Sequence, residues 1–417
     1  MPLIVTGYNY FKLCQSLGMN ISFLSKNSWL FFILLVSVVL LIGELLNHRF
    51  TMHDLEVYYR TAHRMVHQEA LYRIQSDGHY VYKYAPTAAA YFIPFLILPF
   101  TAVKVVYWFL LTGITAYILH LLFALIAEKP GSTASKFRNK VLLLSFLAGA
   151  AHFHREWHLG QVNLFLLFSY VCITCSLIKD RPLMGGFWLG FSLYLKPFGL
   201  IFLPYFILRK QYKHVLYSLV FLLVFGLIPF IFYPSEPAFK QLYLSWFNEL
   251  AIEMKMKQDL LAAGNHTIFS VLARYTPLQL LLPNAQAVKI YQLIVLGSIA
   301  TCFLLFIKSS RKEWQNYYVA EMAFLIAFIP MLAFTSYNAF LFATPCIVIL
   351  LYNARQFSGS EKTLLTLALI LIGGNIRDLV GPKNFAVLDG SSVYTFGSIL
   401  LLILLYRLRK KQFQQRD

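Results

Sequence analysis

The sequence predicts an all-α polytopic membrane protein, and three observations carry the prediction. Of its 417 residues, 59% are hydrophobic and 13% charged, with a mean hydropathy of +0.62; a soluble domain carries about 25% charged residues. Apolar runs of spanning or near-spanning length recur along the whole chain. Two gaps between them, about 48–101 and 234–288, are longer than any connector needs and keep aromatic and apolar residues, which predicts ordered functional loops. The 38 Phe and 26 Tyr exclude a disordered chain. The apolar excess excludes a pair of ordinary water-soluble domains.

The runs fall at about 29–47, 102–127, 141–154, 161–178, 215–233, 289–307, 317–334, 339–352, 362–375 and 392–406. The stretch 183–208 reads as two short runs broken at Lys196-Pro197, because proline lacks an N–H and disfavours helix in the residue before it. The stretch 86–100 carries Pro86, Pro94 and Pro99 and is too short to cross comfortably, so it reads as a juxtamembrane or re-entrant piece. The expected architecture is one integral membrane domain over 1–417, with about 12 transmembrane helices and two long exterior loops carrying juxtamembrane helices. The run from Trp29 reads as a retained first span, being too long for a signal peptide and lacking a cleavage site after it.

Charge sets the expected orientation. The formal net charge is +18. Segments 1–28, 128–140, 179–182, 208–214, 308–316, 353–362 and 407–417 hold 21 Lys and Arg against 5 Asp and Glu, which is +16 of that excess. Basic residues crowded on alternate connections follow the positive-inside rule, so both termini are expected in the cytoplasm. The charge then needs no nucleic-acid partner. Localisation in the cell membrane follows, with the long loops outside. Cys14, Cys172, Cys175, Cys302 and Cys346 are scattered and read as small core residues; the C-x-x-C pair lies within an apolar helix, with no second pair to complete a site.

The first long loop opens with an amphipathic pattern, Leu55, Tyr58, Ala62, Met65, Val66 and Ala70, interleaved with Arg60, Arg64 and His67, suited to lie on a membrane surface. The second offers Phe239, Leu242, Trp246, Leu250 and Met254. Nine of the 11 His fall on the exterior face or at its edge, together with Asp54, Glu56, Arg155, Glu156, Lys196 and Arg274. An acid with several cations at a membrane-facing cavity suits sugar transfer from a phosphorylated lipid. The cations hold the leaving phosphate, and the carboxylate takes a proton from the acceptor hydroxyl. Plainer readings stand beside this one. Asp54 on position alone is an interfacial carboxylate. Lys196 either snorkels to the surface or pairs with an anion. His152, His154 and His158 read as interfacial histidines before a metal set. Glu321, within a span, is a functional candidate or a polar contact between helices.

These stretches resemble a known family. Asp54-Leu-Glu-Val-Tyr58, Ala62, Leu71-Tyr72 and Tyr84-Ala-Pro86 are similar to the first exterior loop of glycosyltransferase family 87. Gly160-Gln161-Val162-Asn163 opening a span, Gly185-Gly186 and Leu195-Lys196-Pro197 resemble it further, as does Asn265-His266-Thr267-Ile268 with Ser270 and Arg274. The likeness covers about residues 50–275. It implies a GT-C fold and a polyprenyl-phosphate-mannose-dependent α-mannosyltransferase, inverting, with Asp54 as general base and no metal or other cofactor. Tyr58, Tyr84, Arg155, Gln161, Asn163, Lys196, Asn265, His266 and Arg274 are the implied substrate contacts, Lys196 and Arg274 for the donor phosphate. The implied partners are a polyprenyl phosphate sugar donor, a lipid or glycan acceptor and the bilayer. Ser336-Tyr337-Asn338-Ala339 holds no histidine where some members carry a late pair.

Two other classes compete. A transporter or flippase tends to show repeated halves and polar residues at mid-span, and this chain shows no repeat. An O-antigen-type polymerase or ligase calls for a large arginine-rich loop late in the chain, whereas here the early acidic loop dominates.

Overall fold

The computed structural model describes residues 27–127, 135–255, 259–308 and 317–414. Among them the chain forms 17 α-helices and no strand. In chain order they are α1 Ser28–Leu46, α2 His53–Val66, α3 Pro86–Ala90, α4 Phe100–Ile126, α5 Ser135–Leu159, α6 Asn163–Ile178, α7 Pro182–Leu195, α8 Phe202–Leu208 and α9 Tyr212–Leu227. Then follow α10 Glu236–Lys255, α11 Ile268–Tyr275, α12 Ala285–Lys308, α13 Tyr317–Leu332, α14 Thr344–Tyr352, α15 Gly359–Gly373, α16 Arg377–Gly390 and α17 Val393–Gln414. Cys14 and the basic segments' residues 1–26, 128–134, 309–316 and 415–417 lie outside the described residues.

The protein is a multi-pass membrane protein, and among the described residues the helices that meet the length and apolarity of a full span are fewer than the expected twelve. Four helices are long and apolar enough to cross: α1, α4, α12, and α9 with the short 3₁₀ turn after it, to Ile231; a fifth is reached if α15 and α16, bent by 90° at their junction, count as one. The reason is physical. The other apolar pieces, such as α6, α7 and α13, run 14–16 residues, short of the ~20 that cover a hydrocarbon core. Helix α5 is long enough at 25 residues, but its ends carry Lys136, Arg138, Lys140, Arg155 and Glu156. Of the short helices, α13 sits inside the bundle: every residue from Val319 to Met331 is buried.

Local chemistry explains the breaks. Lys196 is extended at φ −151°, ψ 139°, ending α7, and a 3₁₀ turn runs over Pro197–Ile201 before α8. The stretch 86–100 forms two pieces, α3 and a 3₁₀ turn at Ile93–Ile97, docked where Thr87 Oγ1 donates to Phe225 O at 2.9 Å. Helix α2 ends at Val66, before the expected amphipathic pattern reaches Ala70, and uses its apolar face differently. Leu55, Tyr58, Ala62 and Met65 are buried in the protein core, while Val66 and Ala70 are exposed. That face packs on protein, so it is not left for a membrane surface. Cys346 is buried and Cys172 and Cys175 half-buried, but Cys302 is exposed on α12 and is not a core residue.

Two ion-pair groups fix the first long loop. Asp77 is held by Arg64, at 2.6 and 2.7 Å, and by Arg60. Arg73 pairs with the buried Glu249 at 2.6 Å, and Lys83 with Glu253 at 2.9 Å, tying this loop to α10 of the second.

Candidate active site

The site is built around one close approach. Gly160, in the turn between α5 and α6, has φ +70°, and a Cβ there would stand 2.6 Å from Leu55 Cβ. Only glycine takes this backbone and this contact without strain. The contact seats the α5–α6 turn against the first turn of α2, so that Gln161 Nε2 donates to Asp54 Oδ2 at 2.7 Å. Asp54 lies in that first turn, where the helix dipole favours a negative group. Gln161 is its hydrogen-bond donor among the described residues; the carboxylate is half-buried and its second oxygen is unbonded.

Behind Asp54 lies a buried polar chain. Glu156, in the last turn of α5, accepts from Asn163 N at 3.0 Å, from Asn163 Nδ2 at 2.7 Å and from Asn338 Nδ2. The carbonyl of Asn163 in turn receives Lys196 Nζ at 2.8 Å. Lys196 is thus held by a neutral carbonyl and not by a direct carboxylate contact. It lies over the rings of Tyr84 and Phe198, 5.9 and 5.8 Å from their centroids. Tyr58 and Tyr84 share a hydroxyl hydrogen bond of 2.9 Å. Burial pushes the Asp54 carboxyl above its usual range, and the opposing pull of Lys196, Gln161, Arg155 and His53 does not cancel it. The result is a carboxylate more basic than one in water, which favours proton capture.

Two cavities meet at Asp54. One of about 400 Å³ is lined by Tyr58, Lys83, Tyr84, Gln161 and Lys196. The other, of about 450 Å³, is lined by His48, Arg49, His53, Arg155 and His158. A third, of about 340 Å³, shares Arg49, Arg155 and His158 with the second and continues to Asn375 and Arg377.

The structure therefore brings together Asp54, Tyr58, Tyr84, Arg155, Gln161, Asn163 and Lys196. It does not bring Asn265, His266 and Arg274 to them. Arg274 is spent on Asn265 O at 2.9 Å and on Gly390 O and Ser392 Oγ, which ties α11 to the α16–α17 junction. His266 contacts Ser392 and Asp389, and the Asn265 carbonyl holds Thr267. None of the three lines a cavity containing Asp54. In this structure the three form a knot of contacts with the α16–α17 junction.

Sequence reasoning gave Glu156 and Asn338 no role. Glu156 stood out only as one more exterior acid. Asn338 lies in the late turn where a histidine was sought, and there it completes the cradle of Glu156. The signal was the spacing of Glu156, Gly160, Gln161 and Asn163, which a helix end, a left-handed turn and a helix start fold onto themselves. His154 and His158 both face Glu44, at 3.2 and 3.0 Å, and His152 meets Ile372 O at 2.9 Å. Among the described residues no three His, Cys, Asp or Glu are grouped to hold a metal ion.

Among known proteins, no curated protein and no solved structure matches the chain significantly. A family does match, over residues 82–336. The interval takes in Tyr84, Arg155, Glu156, Gln161, Asn163, Lys196 and Ser336; Asp54 and Tyr58 precede it, and Asn375 and Arg377 follow it. The matched interval is more than half of the chain, and the chain belongs to glycosyltransferase family 87, as a membrane glycosyltransferase.

Proposed function

We propose that the protein moves a hexose, mannose first among candidates, from a polyprenyl phosphate sugar to an acceptor hydroxyl on the extracytoplasmic face, with inversion, within a GT-C-type fold. The observation that carries this reading is the position of Asp54: a half-buried, basic carboxylate with one oxygen held by Gln161 and the other open, between a cavity containing Lys196 and one lined by arginines. The acceptor hydroxyl gives its proton to Asp54 as its oxygen attacks the anomeric carbon. The bond from that carbon to the phosphate oxygen breaks on the opposite face, and the electron pair leaves with the lipid phosphate. Lys196 faces the departing charge, desolvated so that its attraction is strong. Tyr58 and Tyr84 wall the sugar, and the Gln161 carbonyl oxygen, buried without a partner, accepts from a sugar hydroxyl. Asn163 and Glu156 act through Lys196 as positioning residues.

The test is incubation of purified protein in nanodiscs with a panel of polyprenyl phosphate sugars, reading release of the bare lipid phosphate. Release from at least one such donor, with no turnover of nucleotide sugars, is expected. Release from none, or use of a nucleotide sugar, overturns the reading.

A further inference from the structure

Three arginines converge on the side of Asp54 away from Lys196, and the catalytic reading leaves them unused. Arg49, Arg155 and Arg377 line the two joined cavities of about 450 and 340 Å³. Among the described residues no carboxylate pairs with any of them within 4.0 Å, and none makes a side-chain hydrogen bond. Three acids line the same cavities without pairing with these arginines. Glu44 is taken by His154 and His158, Asp54 by Gln161, and Asp378 makes no ion pair. Like charges gathered in a partly desolvated cleft repel one another unless an anion sits among them. Guanidinium groups match phosphate or carboxylate with paired hydrogen bonds.

The same cleft has a second kind of recognition group. Asn375 is 3% exposed and lines the inner cavity. Its Nδ2 donates to Tyr394 Oη at 2.7 Å and to Phe385 O, while its Oδ1 is buried with no partner. An orphaned buried acceptor calls for a hydroxyl donor. Tyr337 and Phe385, edge to face at 5.7 Å, add an aromatic wall on which the C–H face of a sugar can pack.

We infer that the arginine-lined cleft is the acceptor site and that the acceptor is an anionic glycoside, carrying a phosphate or carboxylate seated by Arg49, Arg155 and Arg377 with a sugar hydroxyl on Asn375. The inference rests on the transfer reading, and it supplies the other half of the geometry. In an inverting displacement the acceptor hydroxyl attacks the anomeric carbon on the face opposite the leaving phosphate, its proton passing to Asp54. The Lys196 cavity and the arginine-lined cavity both reach that carboxylate and are lined by different cations, so each reactant's charge has its own seat.

The experiment measures binding and so does not depend on turnover. Full-length protein in nanodiscs is titrated with hexyl glucoside, hexyl glucoside 6-phosphate and hexyl glucuronide, read by saturation-transfer NMR. Either anionic glycoside is expected to bind at least about tenfold more tightly than the neutral one, and Arg49→Ala/Arg377→Ala to erase that preference. Which of the two wins separates phosphate from carboxylate. Asn375→Leu should weaken all three glycosides alike. Farnesyl phosphate binding, retained in the arginine variant, shows that the variant is folded. Equal binding of neutral and anionic glycosides, binding of none, or a preference that survives the double variant overturns the proposal. Competitive displacement of the anionic glycoside by farnesyl phosphate also overturns it, by giving the arginines to the donor. Failure of lipid-phosphate release with the glycoside preference intact would instead strike the transfer reading alone.

Discussion

Two of the acids in this bundle, Glu321 and Asp54, are treated in opposite ways. Glu321, fully buried in α13, has both oxygens engaged: Tyr205 Oη and Arg209 Nε reach it at 2.8 Å, Arg409 at 2.6 Å, and a second Arg209 nitrogen closes the group. Asp54 receives one amide N–H and keeps an open oxygen, while Lys196 nearby is held by a neutral carbonyl and no carboxylate. The comparison separates structure from chemistry. An acid whose lone pairs are all consumed can only hold helices together. An acid left incomplete beside a cation and two cavities keeps its capacity for a reactant.

Breaking each acid tests the distinction. Asp54→Asn keeps the shape and the Gln161 contact but removes the proton acceptor; transfer should fall about 10²- to 10⁴-fold, with the melting temperature unchanged. Glu321→Ala leaves two arginines facing a buried void and should cost about 3–5 kcal/mol of stability, seen as early melting and aggregation in detergent. If Glu321→Ala melted normally yet lost transfer, or Asp54→Asn unfolded, the two roles would have to be exchanged.

The contrast also shows what could be read from the chain. Helix positions were legible almost throughout, because apolar runs and prolines are local: the break at Lys196-Pro197 and the pieces around Pro86 and Pro94 lie where those residues dictate. The number of crossings was not legible, since a 14- to 16-residue helix buried among others has the same composition as a short span. Within the site, Asp54, Gln161, Asn163 and Lys196 stood at recognisable spacings. Asn338 did not. It lies 182 residues from Glu156 and becomes its partner only when the 3₁₀ turn Tyr337–Ala343 packs on α5. The partners of Arg274 were hidden for the converse reason: a cation in a predicted loop can meet backbone carbonyls, and local sequence does not show which ones. The same blindness hid Arg377, whose cleft partners Arg49 and Arg155 come from two other segments.

Between the two acids in sensitivity stands the turn that aligns Asp54. Gly160→Ala places a methyl on Leu55 and forces a left-handed backbone on alanine, a cost of about 1–3 kcal/mol. The strain is relieved by moving the α5–α6 turn off α2, which takes Gln161 with it. We expect kcat to fall about tenfold with donor KM little changed, since misplacement near a reacting group is read in the transition state. A variant that lost only stability and kept kcat would make Gly160 a packing residue and nothing more.

The finest test is pH. Asp54 works as a base only when ionised, so kcat/KM falls as pH drops through its pKa, which burial has raised. The Gln161 hydrogen bond favours the charged form and pulls that pKa down. Gln161→Leu removes the pull, so the acid limb should move to higher pH, by about one unit for a bond to a charged acceptor. At alkaline pH, where Asp54 is ionised in both proteins, the remaining difference reports only the lost contact to sugar. If the limb stayed fixed while the plateau fell, Gln161 would be a substrate contact without influence on the base. If the limb moved to lower pH, the titrating group would not be Asp54, because taking away a donor to a carboxylate cannot stabilise its anion.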